Sequence, residues 1–177
     1  MGVFSEMIRL NIGCGRKILP GWVNVDVEQR GTVPEGAEYV QSDIRKLPFP
    51  DNYADELMAI HVVEHFYLWE IGQVLREWHR VLKPRGKLIL ECPDIVKAAF
   101  YIVKAATENK PMPHQMTMWP LYGDPSHQDP LMCHKWGYSP QSLIELVNAA
   151  GFKFARSVDA QFHMKTLRDL RVEANKQ

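Results

Sequence analysis

Over the first sixty residues, short runs of alternating apolar and polar positions sit between turn-forming residues. Ile8-Arg9-Leu10-Asn11-Ile12 predicts a strand that runs into Gly13-Cys14-Gly15, and Trp22 to Val27 predicts a second. Glu38-Tyr39-Val40-Gln41 predicts a third, ending at Ser42-Asp43, and the run from Asp55 through Leu57-Met58-Ala59-Ile60 to His61 predicts a buried fourth. Between them, Leu47-Pro48-Phe49-Pro50-Asp51-Asn52 is expected to be irregular, because two prolines remove backbone donors and Asp-Asn favours a turn.

The period then changes. Leu68, Ile71, Leu75, Trp78 and Leu82 recur at steps of three and four, with Val74 and Val81 widening the stripe and Arg76, Glu77 and Arg80 outside it, which predicts an amphipathic helix. Lys83-Pro84-Arg85-Gly86 is expected to stop that helix and turn into a fifth strand at Lys87–Leu90. Ile95 to Thr107 predicts another helix. Ser139-Pro140 opens a further one as N-cap and first-turn proline, and Gly151 closes it. Two last strands are expected near Lys153–Val158 and Asp169–Ala174. Alternating strands and helices predict an α/β fold with a mostly parallel sheet of seven strands, covered on both faces as a three-layer sandwich. About ten residues join the last two strands, too few for a helical crossover, so a terminal antiparallel strand is expected.

Residues 110–138 break this rhythm. They hold five of the twelve prolines, four of the eight methionines and three of the seven histidines, without periodicity. A long irregular stretch inside a compact unit is usually functional, and residues 1–177 are read as a single domain carrying an irregular insertion or lid at 110–138.

Charge and composition narrow the classes. Twenty-one Lys+Arg balance twenty-one Asp+Glu in 177 residues, which argues against a nucleic-acid partner, since phosphate binding needs clustered basic excess. No window approaches the roughly 18 apolar residues of a membrane span, and the start reads neither as a leader nor, with Ser5 and Glu6 after Met1-Gly2, as a lipidation site. Cys14, Cys92 and Cys133 are too scattered for a disulfide framework or a zinc ribbon, so a cytoplasmic, non-membrane protein is expected.

Three strand ends carry the candidate chemistry. Glycines in Gly13-Cys14-Gly15 let the backbone approach a ligand closely. Asp26, ending the second strand, is placed to accept both hydroxyls of a ribose, because ligands of open α/β sheets bind outside the carboxyl ends of the strands. Asp43, ending the third, is placed for an amino group such as adenine N6. A dinucleotide is disfavoured. The third glycine of the fingerprint is absent, and only eleven residues separate Gly15 from Asp26, leaving no room for the crossover helix that anchors a pyrophosphate.

The chain resembles the class I S-adenosylmethionine-dependent methyltransferases, close to the small type-11 branch. The resemblance rests on Leu10-Asn11-Ile12-Gly13-Cys14-Gly15, Asn24-Val25-Asp26, Ser42-Asp43-Ile44-Arg45-Lys46-Leu47-Pro48-Phe49-Pro50-Asp51, His61-Val62-Val63-Glu64-His65, Arg80 through Leu88, and Ser139 through Phe152. It implies a Rossmann-like fold and S-adenosyl-L-methionine as cofactor. Asn11, Gly13, Cys14 and Gly15 would then lie beside the methionine part, Asp26 and Val27 at the ribose, Asp43 and Ile44 at the adenine, and His61 near the methyl group. Asn11 stands where the family often has an acid, which moves the amino-group contact towards backbone carbonyls or water. The helix that usually precedes the first strand is missing, so cofactor burial is expected from 110–138 or from another subunit, as in a homodimer. Low charge and many aromatics in 110–138 favour a small-molecule or sugar acceptor, so methyl transfer to oxygen is expected, with His61 at its strand end, His134 in the irregular segment and His65 as candidate bases in that order. A non-catalytic cofactor-binding module acting through a partner protein is the alternative.

Two patterns are set aside. His61-Val62-Val63-Glu64-His65 spells an inverted zinc-protease motif, but its first histidine ends a strand rather than sharing a helical face with the second. Some relatives bind a divalent metal through Glu-x-x-Glu-His here; His61 replaces the first glutamate, so this carries over poorly. His114, His127, Cys133 and His134 match no common metal spacing. No metal is expected.

Overall fold

The computed structural model describes residues 7–111, 114–163 and 165–177. The reading of Met1-Gly2 to Glu6 therefore lies outside the described residues, as do two residues of the 110–138 segment. Seven strands, β1 (Arg9–Ile12), β2 (Val23–Asp26), β3 (Glu38–Gln41), β4 (Ala54–Ile60), β5 (Leu82–Pro93), β6 (Lys153–Val158) and β7 (Asp169–Asn175), form one sheet in the order β3-β2-β1-β4-β5-β7-β6. Every pairing from β3 to β5 is parallel, and β7 is antiparallel to both its neighbours. The ten-residue connection accounts for the antiparallel pairing of β6 and β7, and the tail hairpin inserts its second strand beside β5.

Two helices cover one face. α1 (Leu68–Val81) buries Ile71, Val74, Leu75, Trp78 and Val81, and α4 (Pro140–Ala149) buries Leu143 and Val147. With them cluster Leu10, Ile12, Val25, Leu57, Ala59, Leu88, Leu90, Leu170 and Val172, alternate residues of five adjoining strands. Leu68, counted in the stripe, is exposed because it opens the helix. Ser139 Oγ accepts from Ser142 N at 3.2 Å to cap α4, and Gly151 takes φ +107° where that helix ends, as expected.

The second helical layer is thin. The connections β1–β2, β2–β3 and β3–β4 contain no helix, being short and broken at Pro20-Gly21, at Gly31, Pro34 and Gly36, and at Pro48 and Pro50. Side chains from the face opposite α1 hold these loops instead. Asn11 Nδ2 donates to Lys17 O and to Asn24 Oδ1, and Asn24 Nδ2 donates to the Leu19, Trp22 and Glu38 carbonyls. The β3–β4 loop is pinned to α1 by Arg80, whose guanidinium grips Glu77 at 2.7 and 2.8 Å and reaches the Phe49 carbonyl and Asp51. Glu77 Oε1 also accepts from Leu47 N.

β5 starts earlier than the periodicity predicts. α1 runs straight into it at Leu82, which pairs with Ala54, and the register slips across Lys83–Gly86. There Arg85 N donates to Lys176 O and Lys176 N to Gly86 O, so the tail supplies partners for a turn in which Arg85 sits at φ +68°. α2 (Ile95–Thr107) matches its expectation, with the Asp94 side chain accepting from Val96 N. Beyond it the described residues form only short turns and α3 (Trp119–Tyr122) before α4.

Candidate active site

Parallel order places the carboxyl ends of β1 to β5 along one edge of the sheet, and antiparallel β7 brings its first residue, Asp169, to that same edge. Gly13 N and Cys14 N donate to Val25 O at 2.8 and 3.2 Å, folding the turn back onto β2. Gly13 takes φ +65°, and a Cβ there would come within 2.6 Å of Val62 Cγ2, so the turn lies hard against the end of β4. Gly15 N donates to Asp26 Oδ2 at 2.7 Å, and Val27 N donates to Asp26 Oδ1 at 2.8 Å. Each carboxylate oxygen thus keeps lone-pair capacity for a pair of hydroxyls. Cys14 is buried and its thiol is pushed up to about 12, by burial first and the Asp26 charge second, so it stays inert.

Asp43 is half exposed and bound by Arg45, which holds its carboxyl below the usual range. An adenine amino group there would share that carboxylate with the guanidinium. The Ile44 carbonyl accepts from Trp78 Nε1 at 2.9 Å, tying this corner to the core. Asn11 is turned inward, with its Nδ2 engaged as described.

At the end of β4, His61 is held at φ +55° between two carboxylates, Nδ1 at 3.0 Å from Glu64 Oε1 and Nε2 at 3.3 Å from Asp169 Oδ2. Burial alone would lower its pKa, but the bonds and charges of Asp169 and Glu64 outweigh that and raise it to about 9. A ring protonated at neutral pH with both nitrogens engaged has no lone pair for an incoming proton. This placement tells against the base role expected of His61. Glu64 is correspondingly lowered to about 2: burial opposes its charge, and His61 overcomes it.

His65 and His134 are brought together, their rings 4.9 Å apart edge to face. His65 Nδ1 lies 3.3 Å from Cys133 O, and His134 Nδ1 lies 3.0 Å from Pro120 O. Burial chiefly lowers the His65 pKa, leaving a neutral imidazole. The irregular segment reaches this point because Lys135 N and Trp136 N both donate to Glu64 O, while farther along Asp129 pairs with Arg30 of the β2–β3 loop at 3.0 Å. No local pattern in the sequence marks Asp169, Arg168 or Arg30 as part of this edge. The one available signal was topological, since an antiparallel β7 must begin at the site edge.

Residues 10–90 match the family model described as "Methyltransferase domain". A probable S-adenosylmethionine-dependent methyltransferase of Mycolicibacterium smegmatis is 31% identical over 77 residues, which are 41% of this chain and 29% of that protein, so the match spans less than a third of the relative's length. A SAM-dependent methyltransferase from Archaeoglobus fulgidus superposes with a TM-score of 0.67 at 19% identity, over 98% of this chain and 88% of that one. Burkholderia thailandensis 1,6-didemethyltoxoflavin-N1-methyltransferase, solved with its substrate and S-adenosylhomocysteine, gives a TM-score of 0.61 at 16% identity, over 96% and 71%. Over residues 10–90, which hold the glycine turn, Asp26, Asp43 and the end of β4, the chain is similar to methyltransferase domains, and over nearly its whole length it shares the fold of these solved S-adenosylmethionine-dependent enzymes.

Proposed function

We propose that this chain moves the methyl group of S-adenosyl-L-methionine to an oxygen of a small-molecule or sugar acceptor. The observation that carries the reading is the Asp26 carboxylate held by Gly15 N–H across the Gly13-Cys14-Gly15 turn, a site suited to a ribose beside a close backbone approach. Bound there, the cofactor supplies an already activated methyl group. The protein's part is then placement, and in-line positioning is worth on the order of 7–11 kcal/mol.

His61 acts as a positioning residue, fixed by Glu64 and Asp169. His65 and His134 are the groups that meet the acceptor, because their Nδ1 atoms face backbone carbonyls and their Nε2 atoms remain for an incoming hydroxyl. Residues 110–138 act as the lid, a role supported by the Arg30–Asp129 pair on one side and the Glu64 carbonyl on the other. Free Cys14, Cys92 and Cys133 suit a reducing, cytoplasmic setting, and no helix among the described residues is long and apolar enough to cross a membrane.

Calorimetry with S-adenosylmethionine and release of S-adenosylhomocysteine in the presence of sugar, phenol and amine acceptors test this reading. Micromolar binding and turnover with a hydroxyl acceptor are expected. Turnover with amines alone would move the reaction to nitrogen, and absence of cofactor binding would remove the proposal.

A further inference from the structure

Tyr67 and Trp69 stack their rings with centroids 4.4 Å apart and planes 6° from parallel, and Trp69 is 76% exposed. We propose that the outer face of this indole is a second acceptor subsite, which carries a further sugar ring of an acceptor longer than one saccharide unit.

The stack is held in place from two sides. Tyr67 N donates to Glu70 Oε2 at 3.1 Å and Glu70 N to Tyr67 O at 2.9 Å, which fixes the first turn of α1 that carries both rings. Lys135 Nζ lies over the Tyr67 ring, 5.6 Å from its centroid, and donates to His65 O at 3.1 Å. One ammonium therefore ties the stack to the histidine that pairs with His134, and the platform continues the acceptor side of the cleft. Tyr67 covers one face of the indole and leaves the other to solvent. Leu68 is exposed as well, so three consecutive large side chains stay in water, where single ones are the rule. Gly72 keeps the approach clear. Glycine weakens a helix interior relative to alanine, and packing does not ask for it here, since a Cβ would meet Arg76 Nη1 at an ordinary 3.7 Å. Helical side chains lean towards the N-terminus, so a longer one at 72 would lie over the turn that holds Trp69.

The chemistry selects a sugar. The C–H hydrogens on a face of a pyranose are slightly positive, and the π face of an indole is negative. A saccharide gives up that one face and keeps its hydroxyls in water or against exposed Gln73, one turn along the same side of α1. A flat aromatic acceptor has two apolar faces to hide, and this platform has a single wall. Reaction at the His65–His134 pair with a neighbouring ring on Trp69 rests on the methyl-transfer reading, whereas the platform does not.

The test titrates the full chain by calorimetry with neutral trisaccharides of gluco, galacto and manno configuration and with their monosaccharides, in the presence and absence of S-adenosylhomocysteine. At least one trisaccharide is expected to bind about 10-fold more tightly than its monosaccharide, the gain that covering one ring face implies. Trp69→Ala should lose that gain. Phe154→Ala, equally exposed but at the opposite edge of the sheet, should keep it. Gly72→Leu, a better helix residue, should raise the melting temperature and still lose the gain, a combination that a merely structural role would not produce. Absence of the gain in the wild type, or its survival in Trp69→Ala or Gly72→Leu, overturns the proposal. So does a wild-type dimer that Trp69→Ala dissociates, because the ring would then be a contact between copies. Cofactor binding and turnover are measured separately: the trisaccharide gain without turnover removes the methyl-transfer reading alone, and turnover on a monosaccharide without the gain removes this inference alone.

Discussion

Asn11 Nδ2 donates to Asn24 Oδ1 at 2.8 Å, joining two neighbouring parallel strands by an amide pair directly beneath the glycine turn. Asn24 also takes Leu19 N–H and gives its two amide hydrogens to the Leu19, Trp22 and Glu38 carbonyls. Asn24→Ala leaves these buried groups unpaired, each costing about 1–3 kcal/mol. The melting temperature should fall by several degrees, and cofactor affinity should fall with it because the turn loses its floor. Thermal melts and calorimetry check both effects. Unchanged stability would mean that the loop is held elsewhere.

Asp26 should dominate cofactor affinity. Charge-assisted hydrogen bonds are worth about 1.5–3 kcal/mol, so Asp26→Ala should weaken S-adenosylmethionine roughly 10- to 150-fold. Asp26→Asn, which keeps an acceptor for Gly15 N, should lose less. Circular dichroism confirms that each variant is folded, and calorimetry reads the affinity.

Gly13 and Val62 should be coupled. Gly13→Ala places a Cβ 2.6 Å from Val62 Cγ2 at a backbone φ of +65°. Val62→Ala removes the clash but not the backbone strain. The double variant should therefore be more stable than the sum of the single losses, by about 0.5–3 kcal/mol. Strict additivity in denaturant melts would exclude the contact.

Acid should release the β3–β4 loop. The Arg80 bonds hold the Glu77 carboxyl below its ordinary value, burial opposing. A carboxyl with a depressed folded-state pKa stabilises the fold above its unfolded value, near 4.5, and loses that contribution as pH falls through the folded one. Glu77→Gln should cost about 1.5–3 kcal/mol at pH 7. The gap from wild type should shrink between pH 5 and pH 3. A gap independent of pH in urea titrations would assign the loss to packing.

What was readable in the sequence was local. The glycine turn and Asp26 lie on consecutive strands, and α1 declares itself by its period, so their placement follows from neighbours along the chain. His61 reads as a base from its strand-end position, whereas Asp169, which engages its ring, lies 108 residues away and is delivered by antiparallel β7. His134 lies 69 residues beyond His65, and no spacing rule links them. The early start of β5 was hidden because Pro84 and Gly86 read as a stop, whereas Lys176 supplies the missing partners. Asn11 stands where the resemblance expects an acid, and its Nδ2 bonds to Lys17 O and Asn24 Oδ1 could not be anticipated from the strand pattern.

The excursion that carries α2, α3 and His134 leaves the sheet after Asp94 and returns at Tyr138, where the two residues pair as a lone bridge and Ile95 N donates to Tyr138 O at 2.9 Å. Both ends of the segment therefore sit at one point, like a clasp. Changing its length adds little closure entropy, which grows only with the logarithm of loop size, and leaves every strand pairing untouched. If the segment meets the acceptor, as proposed above, exchanging it alone would change specificity while Gly13, Gly15 and Asp26 stay in place, and the clasp is then the cut point for grafting.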